Sequence, residues 1–468
     1  MHARSERTNV WIPASLGLVA LAVLAVWMAT GSGKPLALRV PGSDNAPGAG
    51  PEGRGNVILA GKLIVSNGKP AAPSGDWSQF RGPGHNGIGK GSGRLMRSWD
   101  TAGLRQLWGV DVGDGYAGPA ILNGRVYLMD YDAAHKQNAL RCLSLNDGAE
   151  IWRYSYPVAV KRNHGMSRTV PAVTDKFVVG MGPKCHVVCV DAITGELRWG
   201  IDLVKQYGAT VPPWYAGQCP LIDEGAVVLA PGGPKALLLA VQPENGSALW
   251  QTPNPHGWKM THSSIMPQVV DGERTYVYCA NNGVVGVSAK DGTLLWETAA
   301  WKISIATVPS PLILPGGRIF LSGGYNAGSL MLQVKKDQGR WQTQTLFKLD
   351  PEVFGATQHT PIFYDNHIYG ARADGRFVCL DLDGKVAWTS ATGQTFGLGP
   401  FLVADGVIFA MNDSGLLRLF EASPQKYNCL SQAQVLKGRE SWGPMALVDT
   451  RLLARDLTRL VCLDVGGK

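Results

Sequence analysis

The segment Cys-Leu-Ser-Leu-Asn-Asp-Gly-Ala-Glu-Ile-Trp at residues 142–152 decides the fold, because similar segments recur along the chain. Each copy joins a glycine turn to a strand that carries a tryptophan, and further copies end at Trp199, Trp250 and Trp296. The copies lie about 45–50 residues apart, a spacing typical of the blades of a β-propeller. The 468 residues are therefore explained by one repeated architecture rather than by several unrelated domains.

A second landmark supports the same spacing independently of the tryptophans. A proline opens an alternating apolar strand at eight places: Pro119, Pro171, Pro220, Pro267, Pro311, Pro361, Pro400 and Pro444. Period-two alternation and an Asp/Asn-x-Gly turn then predict four strands in each unit. Sheets of this kind bury both faces only when they pack radially against their neighbours. We therefore predict an all-β fold, an eight-bladed β-propeller of four-stranded antiparallel blades.

The two ends of the repeat region complement each other. The last unit stops after the strand around Cys462 and has no tryptophan strand of its own. A tryptophan strand without a unit, around Trp108, stands before the first blade. We predict that these two strands pair and close the ring, which would leave no unfinished sheet edge.

The N-terminal region differs from the rest of the chain. Arg4 and Arg7 precede an uncharged run at residues 10–29, about 20 residues, which is long enough to span a bilayer as a helix. The positive flank predicts a cytoplasmic N-terminus and export of the remainder. We predict an uncleaved membrane anchor at residues 1–30, a flexible Gly/Pro/Ala/Ser-rich linker at 31–75 and the propeller at 76–468. Cleavage to a soluble form is the alternative.

The net charge of +8 is concentrated near the N-terminus. Residues 1–100 contain eleven Lys and Arg and five Asp and Glu, which leaves +2 for the rest of the chain. Nucleic-acid binding requires a basic stripe on the folded domain, and this near-neutral body does not predict one. We expect a monomer without a nucleic-acid partner.

The copies match loosely the pattern Ala-x-Asp-x-x-x-Gly-x-x-x-Trp, which resembles the repeat of the pyrroloquinoline quinone (PQQ)-like propellers of quinoprotein alcohol dehydrogenase type. The segment Asp-Trp-Ser-Gln-Phe-Arg-Gly-Pro at residues 76–83 resembles the N-terminal signature of membrane-anchored or secreted bacterial members. The resemblance covers about residues 76–468 and implies the propeller fold. It implies less about function, because one fold hosts both enzymes and scaffolds.

The eight cysteines do not predict a disulfide framework. Three of them occupy the position that Ala240 and Gly286 fill in other copies, and a fourth lies in the corresponding final strand: Cys142, Cys189, Cys379 and Cys462. Free cysteine behaves as a small apolar residue, which explains these four. One disulfide among the remaining four stays open: Cys185, Cys219, Cys279 and Cys429.

The resemblance implies that the chain entering each innermost strand lines one mouth of the central channel. Nine residues of these segments are our ligand-binding candidates: Tyr116, His164, Arg168, Trp214, Gln218, His262, Gln358, His359 and Trp442. Aromatic faces and neutral hydrogen-bonding groups suit a planar or sugar-like ligand, or an inserted loop of a protein partner. The competing interpretation is that these polar groups only satisfy backbone groups and channel water.

PQQ dehydrogenases, as the resemblance implies, hold calcium through carboxylate and amide oxygens and use an aspartate as base. Many also stack a disulfide of adjacent cysteines over the cofactor. No two cysteines are adjacent here, and Asp and Glu are missing from the segments that enter the inner strands at 162–171, 209–220, 258–267, 304–311, 354–361 and 394–400. Asp114 and Glu440 are the nearest carboxylates. We therefore predict no catalytic residue.

The histidines at 164, 262 and 359 lie at unequal distances from their prolines, and no carboxylate accompanies them. Because a metal site needs ligands at one depth and a supporting shell, we predict no metal site.

We therefore predict a membrane-anchored, single-pass protein whose propeller lies in the periplasm, or otherwise outside the cytoplasm, and acts as a non-catalytic binding or assembly scaffold. The expected partner is a protein or a small ligand at the channel mouth. One alternative is a PQQ- and calcium-dependent dehydrogenase of alcohols or sugars, and another is a propeller that binds a carbohydrate or other small molecule.

Overall fold

The computed structural model describes residues 11–30, 55–73, 75–90, 94–99 and 103–467. The chain divides into two compact units, Met1–Ser43 and Asp44–Lys468. The first contains helix α1 (Trp11–Thr30). Of the helices that the structure describes, none is both long and apolar enough to cross a membrane. Residues 1–10, with Arg4 and Arg7, and residues 31–54 of the predicted linker lie outside the described residues, so the anchor and the linker stay predictions.

The second unit is built almost entirely of strands. Three strands precede the first blade: β1 (Lys62–Val65), β2 (Ile88–Gly89) and β3 (Arg105–Asp111). The strands of the first four blades are β4 (Ala120–Leu122), β5 (Arg125–Asp132), β6 (Gln137–Ser144), β7 (Glu150–Pro157), β8 (Ala172–Val173), β9 (Phe177–Met181), β10 (His186–Asp191), β11 (Leu197–Asp202), β12 (Leu221–Asp223), β13 (Ala226–Leu229), β14 (Leu238–Val241), β15 (Ala248–Thr252), β16 (Met266–Val270), β17 (Glu273–Ala280), β18 (Gly283–Ser288) and β19 (Leu294–Thr298).

The strands of the last four blades are β20 (Leu312–Leu314), β21 (Arg318–Gly323), β22 (Gly328–Asp337), β23 (Arg340–Leu349), β24 (Ile362–Tyr364), β25 (His367–Ala371), β26 (Phe377–Leu380), β27 (Val386–Thr389), β28 (Phe401–Ala404), β29 (Val407–Met411), β30 (Leu416–Glu421), β31 (Cys429–Gln434), β32 (Ala446–Val448), β33 (Arg451–Arg455) and β34 (Arg459–Asp464). Short helical segments lie at Val57–Ala60, at α2 (Leu203–Tyr207) and at Pro315–Gly317.

These strands form eight sheets, and the blade strands of each sheet form an antiparallel meander that starts at an inner strand. The inner strands are β4, β8, β12, β16, β20, β24, β28 and β32, and contacts join inner strands of neighbouring blades. Each of the eight landmark prolines lies at the start of an inner strand or within two residues of it. The predicted all-β, eight-bladed propeller is therefore confirmed, with mainly four-stranded antiparallel blades.

The ring closes as the sequence predicts. Strand β34 lies between β33 and the N-terminal strand β3, and Trp108 stands opposite Cys462 in the pairing of β3 with β34. The indole Nε1 of Trp108 donates to the carbonyl of Leu145 in the first blade, at 3.0 Å. One N-terminal strand therefore completes the eighth blade and also packs its tryptophan on the first.

The same contact explains why the Gly-turn and Trp-strand repeat decides the fold. The ring of Trp152 packs on the turn glycine of the next blade, Gly195, and Trp199 packs in the same way on Gly246. A Cβ atom would lie 2.6 Å from the Trp152 ring at the first glycine and 2.9 Å from Trp199 at the second. Both glycines adopt positive φ, which glycine does without strain. Each repeat therefore specifies an interface between blades and not only a turn.

The cysteines follow the predicted register. Cys142, Cys189 and Cys379 each stand opposite the tryptophan of the next strand, as do Ala240 and Gly286 in their blades. All eight cysteines lie in the described part of the chain and are free thiols, including the four for which a disulfide was open. Small side chains at this position leave room for the indole, which accounts for the repeat of small residues.

Two sheets have a fifth strand. Strand β1 pairs with the outer strand β7, and β2 pairs in parallel with the inner strand β28. Residues 55–73 fall in the predicted linker, yet they contact the propeller. The reason is Ile58, which is fully buried and packs where a side chain at Gly200 would otherwise lie. The sequence does not predict this contact, because the apolar patch at residues 57–65 occurs once and has no period.

Candidate functional site

A cavity of about 300 Å³ lies at the centre of the ring, among the segments that lead into the inner strands. We call it the central cavity. Eight of the nine predicted candidates line it: Tyr116, His164, Arg168, Trp214, His262, Gln358, His359 and Trp442. The segments that lead into six of the eight blades therefore supply one surface, although these residues are spread over more than 300 positions of sequence. Ligand binding by these residues stays a prediction.

Gln218 is the candidate that the structure places elsewhere. Its side chain is fully buried, its Oε1 accepts from the backbone N of Ala230 at 2.8 Å, and its Nε2 donates to the carbonyl of the same residue at 3.3 Å. Gln218 therefore satisfies the backbone of its own blade, the role that the competing interpretation gave to the whole set. Gln218 lies only four positions after Trp214, yet Trp214 lines the cavity while Gln218 binds the backbone of Ala230.

One end of the central cavity is closed by residues 76–89, which we call the plug segment. Trp77, Phe80, Arg81 and Gly87 of this segment line the cavity. The backbone of Trp77 exchanges two hydrogen bonds of 2.9 Å with Ile121, at the end of the inner strand of the first blade. At the other end, β2 adds to β28 in the seventh blade. The segment thus spans from the first blade to the seventh, and among the lining residues on the blade segments His164 is exposed.

Arg81 fixes the plug segment to the sixth blade. Its Nη1 donates to the carbonyl of Thr360 at 2.7 Å, its Nη2 donates to that of Pro361 at 2.8 Å, and its Nε donates to that of His85 at 3.1 Å. Burial lowers the pKa of Arg81 to about 9, so the guanidinium remains charged at neutral pH. Sequence analysis identified the motif at residues 76–83 but gave no position for it, because its partners lie about 280 residues away.

An aromatic and cationic cluster forms the wall on the side of the eighth, first and second blades. The rings of Tyr116 and Trp442 stack with centroids 5.2 Å apart, and the guanidinium of Arg168 lies 5.1 Å from the centroid of Tyr116. The hydroxyl of Tyr116 donates to the carboxylate of Glu440. This contact and burial raise the pKa of Tyr116 above its usual range. Trp214 and His262 continue the wall, with centroids 6.5 Å apart.

Arg168 is charged but incompletely paired. Its Nη2 donates to the carbonyl of Asn163 at 3.2 Å, while its Nε is buried and has no hydrogen-bond partner among the described residues. Desolvation lowers the pKa of Arg168 to about 10, so it remains protonated at neutral pH. No carboxylate of the described chain lies within ion-pair distance of it. The wall therefore carries one positive charge with open hydrogen-bonding capacity.

Two half-buried histidines of the cavity, His262 and His359, are neutral at pH 7. Burial lowers the pKa of His262 to about 4, and nearby Arg168 contributes to this shift. Burial also lowers the pKa of His359 to about 4, and its Nε2 is buried without a partner among the described residues. Both imidazoles thus offer one donor and one acceptor without charge.

We expect His359 to make the stability of the propeller depend on pH below neutrality. Its imidazole takes up a proton near pH 6.5 when the chain is unfolded but only near pH 4 when folded, so stability is complete above pH 6.5 and falls as the pH drops towards 4. His359→Gln should reduce the proton uptake on unfolding in this window by up to about one proton. Urea unfolding at several pH values measures it.

The control for this prediction is Gln358→Asn, because this neighbouring side chain lines the same cavity and does not titrate. This variant should keep the pH dependence of the parent chain. An unchanged slope in His359→Gln would contradict the prediction.

The residues of the central cavity do not fit the calcium ion that PQQ enzymes use. Calcium requires about six to eight oxygen ligands, and none of the described lining residues is Asp or Glu. The nearest carboxylates are already engaged: Asp114 by Arg162 at 2.7 Å, Glu440 by Tyr116, and Asp413 by Nε1 of Trp442 at 2.6 Å. Elsewhere in the described chain, no group of three or more His, Cys, Asp or Glu residues could hold a metal ion.

Comparisons with known proteins place this geometry in a family. The PQQ_2 family model, described as outer membrane protein assembly factor BamB, matches residues 136–390, more than half of the chain. The outer membrane protein assembly factor BamB of Yersinia pestis is 23% identical over 257 residues. That alignment covers 52% of this chain and 61% of the relative, so the chain spans less than two thirds of the curated relative that it matches.

Solved structures agree on the fold. The crystal structure of BamB from Moraxella catarrhalis matches with a TM-score of 0.54 and 14% identity, over 77% of this chain and 99% of that one. The computationally designed protein Ika8 matches with a TM-score of 0.51 and 10% identity, over 78% of this chain and 100% of that one. The blade repeat, the closed ring and the match over residues 136–390 together show that this chain belongs to the PQQ-like β-propeller family whose model is described as outer membrane protein assembly factor BamB.

Proposed function

We propose that this propeller is a non-catalytic scaffold that binds a protein partner at the open mouth of its central cavity. One observation carries the proposal: Arg168 and an aromatic wall line the same cavity as the plug segment. Membership in a family described as an outer membrane protein assembly factor supports it. A cavity that is lined by such contact residues suits the docking of a protruding group.

The size and the chemistry of the cavity fit a loop rather than a whole domain. A volume of about 300 Å³ holds a few side chains. Tryptophan, tyrosine and arginine are the residues that most often dominate binding energy at protein interfaces. Trp214, Trp442, Tyr116 and Arg168 gather these types around the mouth. A partner loop that inserts one or two side chains here would bury them against rigid blade segments.

We further propose that the propeller acts outside the cytoplasm and that the N-terminal segment holds it at the membrane. The proposal rests on Arg4 and Arg7 before the uncharged run at residues 10–29. The description of the family as an outer membrane assembly factor is consistent with this location. The scaffold is favoured over a PQQ- and calcium-dependent dehydrogenase, because the described cavity residues do not fit a calcium ion.

Affinity capture from solubilised membranes tests the scaffold proposal. The tagged full-length chain should retain a specific protein, and the double variant Trp214→Ala/Arg168→Ala should lose it. Loss of hot-spot residues costs about 2 kcal/mol or more, which is about thirtyfold in affinity. The melting temperature of the double variant should stay within a few degrees of the parent, because both side chains lie at the cavity and not between blades.

Two single variants serve as controls. Trp341→Ala, on the outer strand β23, should leave capture unchanged. Trp199→Ala removes an inter-blade contact and should lower the free energy of unfolding by about 3–5 kcal/mol. The proposal fails if the double variant captures the same protein as the parent, or if Trp214 is needed for folding while Trp199 is needed only for capture.

A further inference from the structure

The wall of the central cavity carries one positive charge that the described chain leaves without a counterion. Nη2 of Arg168 donates to the carbonyl of Asn163, but its buried Nε has no hydrogen-bond partner among the described residues. Its guanidinium lies over the ring of Tyr116 in a cation–π contact, with 5.1 Å between Cζ and the ring centroid. This contact holds the planar fork in place, so little side-chain entropy remains to be lost when an anion binds.

The carboxylates nearest to Arg168 are committed to other groups. Glu440 accepts from the hydroxyl of Tyr116, Asp114 pairs with Arg162 at the rim, and Asp413 accepts from the indole of Trp442. None of the three forms an ion pair with Arg168 in the described chain. An anion that enters the cavity therefore meets a guanidinium whose charge is only partly compensated, in surroundings where water is partly excluded.

The number of available cations at the cavity indicates that its ligand carries a single negative charge. Arg81 also lines the cavity, but its two Nη atoms already donate to the carbonyls of Thr360 and Pro361. His262 and His359 are neutral at pH 7. One free guanidinium balances a carboxylate, whereas a phosphate dianion would need a second cation to offset its desolvation. Arginine forks match carboxylate geometry, which favours the same choice.

The walls next to Arg168 indicate what the carboxylate is attached to. The stacked rings of Tyr116 and Trp442 lie on one side, and Trp214 with neutral His262 lies on another. These faces bury apolar, flat groups well. From this arrangement we infer that the central cavity recognises one carboxylate borne on an apolar group, with Arg168 as its counterion. The inference rests on the proposed function, in which the carboxylate belongs to an acidic residue beside an aromatic one in the partner loop; a free organic acid is the other source of the same chemistry.

Matched pairs of probes test the charge directly. The blocked peptide acetyl-Gly-Phe-Glu-Gly-amide is compared with its Gln counterpart, and 3-phenylpropionate is compared with 3-phenylpropionamide. Isothermal titration of the full-length chain in detergent should show each carboxylate binding about tenfold or more tightly than its amide. Tighter binding of the peptide pair assigns the site to a polypeptide, and tighter binding of the phenylpropionate pair assigns it to a free acid.

Arg168→Gln should reduce the preference for carboxylate over amide to less than about twofold. Arg105→Gln is the matched control, because Arg105 has a 72% exposed side chain that pairs with Asp464 and does not line the cavity, so the preference should stay unchanged. If Arg168→Gln does not fold, Arg168→Lys takes its place. Lysine keeps the charge but loses the fork, so the preference should persist with binding weakened several-fold.

Equal binding of carboxylate and amide by the parent chain would overturn the inference. So would the absence of binding of both carboxylates at about 10 mM, or an undiminished preference in Arg168→Gln. These outcomes are separate from failure of the proposed function. A captured protein that depends on Trp214 without any carboxylate preference leaves the scaffold proposal intact. A carboxylate preference without a captured protein leaves this inference intact and removes the scaffold proposal.

Discussion

Deleting residues 461–468 is expected to abolish the cooperative unfolding of the propeller. The deletion removes most of β34, the strand that lies between β33 and the N-terminal strand β3. Both neighbours would lose their partner, and Trp108 would no longer be held against the carbonyl of Leu145 in the first blade. The lost contacts include the buried side chains of Val461, Cys462 and Leu463. This loss is comparable with the whole stability of a domain, about 5–15 kcal/mol.

Calorimetry and urea unfolding measure this result. The truncated chain should show a broad transition or none, and it should aggregate through the exposed edges of β3 and β33. A control that lacks only residues 467 and 468 keeps β34 complete and should unfold like the parent. Unchanged cooperative melting of the longer deletion would mean that the ring does not depend on this closure.

The parts of the fold that could be predicted are those that each repeat encodes within itself. Gly195 and the tryptophan of the preceding repeat, Trp152, meet at one interface, so residues that recur together in sequence also pack together. Because every blade repeats this contact, a periodic pattern of Gly and Trp specifies both the number of blades and their packing. The unmatched ends of the pattern, at Trp108 and Cys462, then predicted the closing pair.

Most of the residues that line the central cavity could also be predicted, because their positions follow from the repeat. Its candidates were chosen by their position just before an inner strand, and the radial arrangement brings such positions together whatever the side chains are. Position alone could not separate Trp214, which lines the cavity, from Gln218, which turns into its own blade to satisfy Ala230. That distinction depends on the local path of the chain, which has no sequence period.

The position of the plug segment could not be predicted from the sequence. It occurs once, has no counterpart in any blade, and contacts partners that are distant in sequence. Trp77 pairs with Ile121, the carbonyl of Ser78 accepts from Val173, and Arg81 reaches Thr360. A single aromatic and arginine-containing segment gives no period and no spacing from which such contacts could be read. The binding of Arg81 to the carbonyls of Thr360 and Pro361 is therefore a contact that only the structure shows.

We expect Arg81→Met to destabilise the propeller by about 3–5 kcal/mol, because it leaves several buried acceptors unpaired. The guanidinium donates to the carbonyls of Thr360 and Pro361 in the sixth blade, and to His85 and Asn86 within the plug segment itself. Methionine fills much of the same volume, so the lost hydrogen bonds dominate the effect rather than a cavity. Urea unfolding of parent and variant measures the difference.

Arg105→Met is the matched control. Its side chain is 72% exposed and forms a surface ion pair with Asp464, at 2.6 Å, and such pairs contribute about 0–1 kcal/mol. The two variants remove the same charge from the same chain, so their difference isolates the buried acceptors. If Arg81→Met costs no more than Arg105→Met, the plug segment is not held by its arginine. The closed end of the central cavity would then depend on the other contacts of the plug segment, among them the pairing of Trp77 with Ile121 and of β2 with β28.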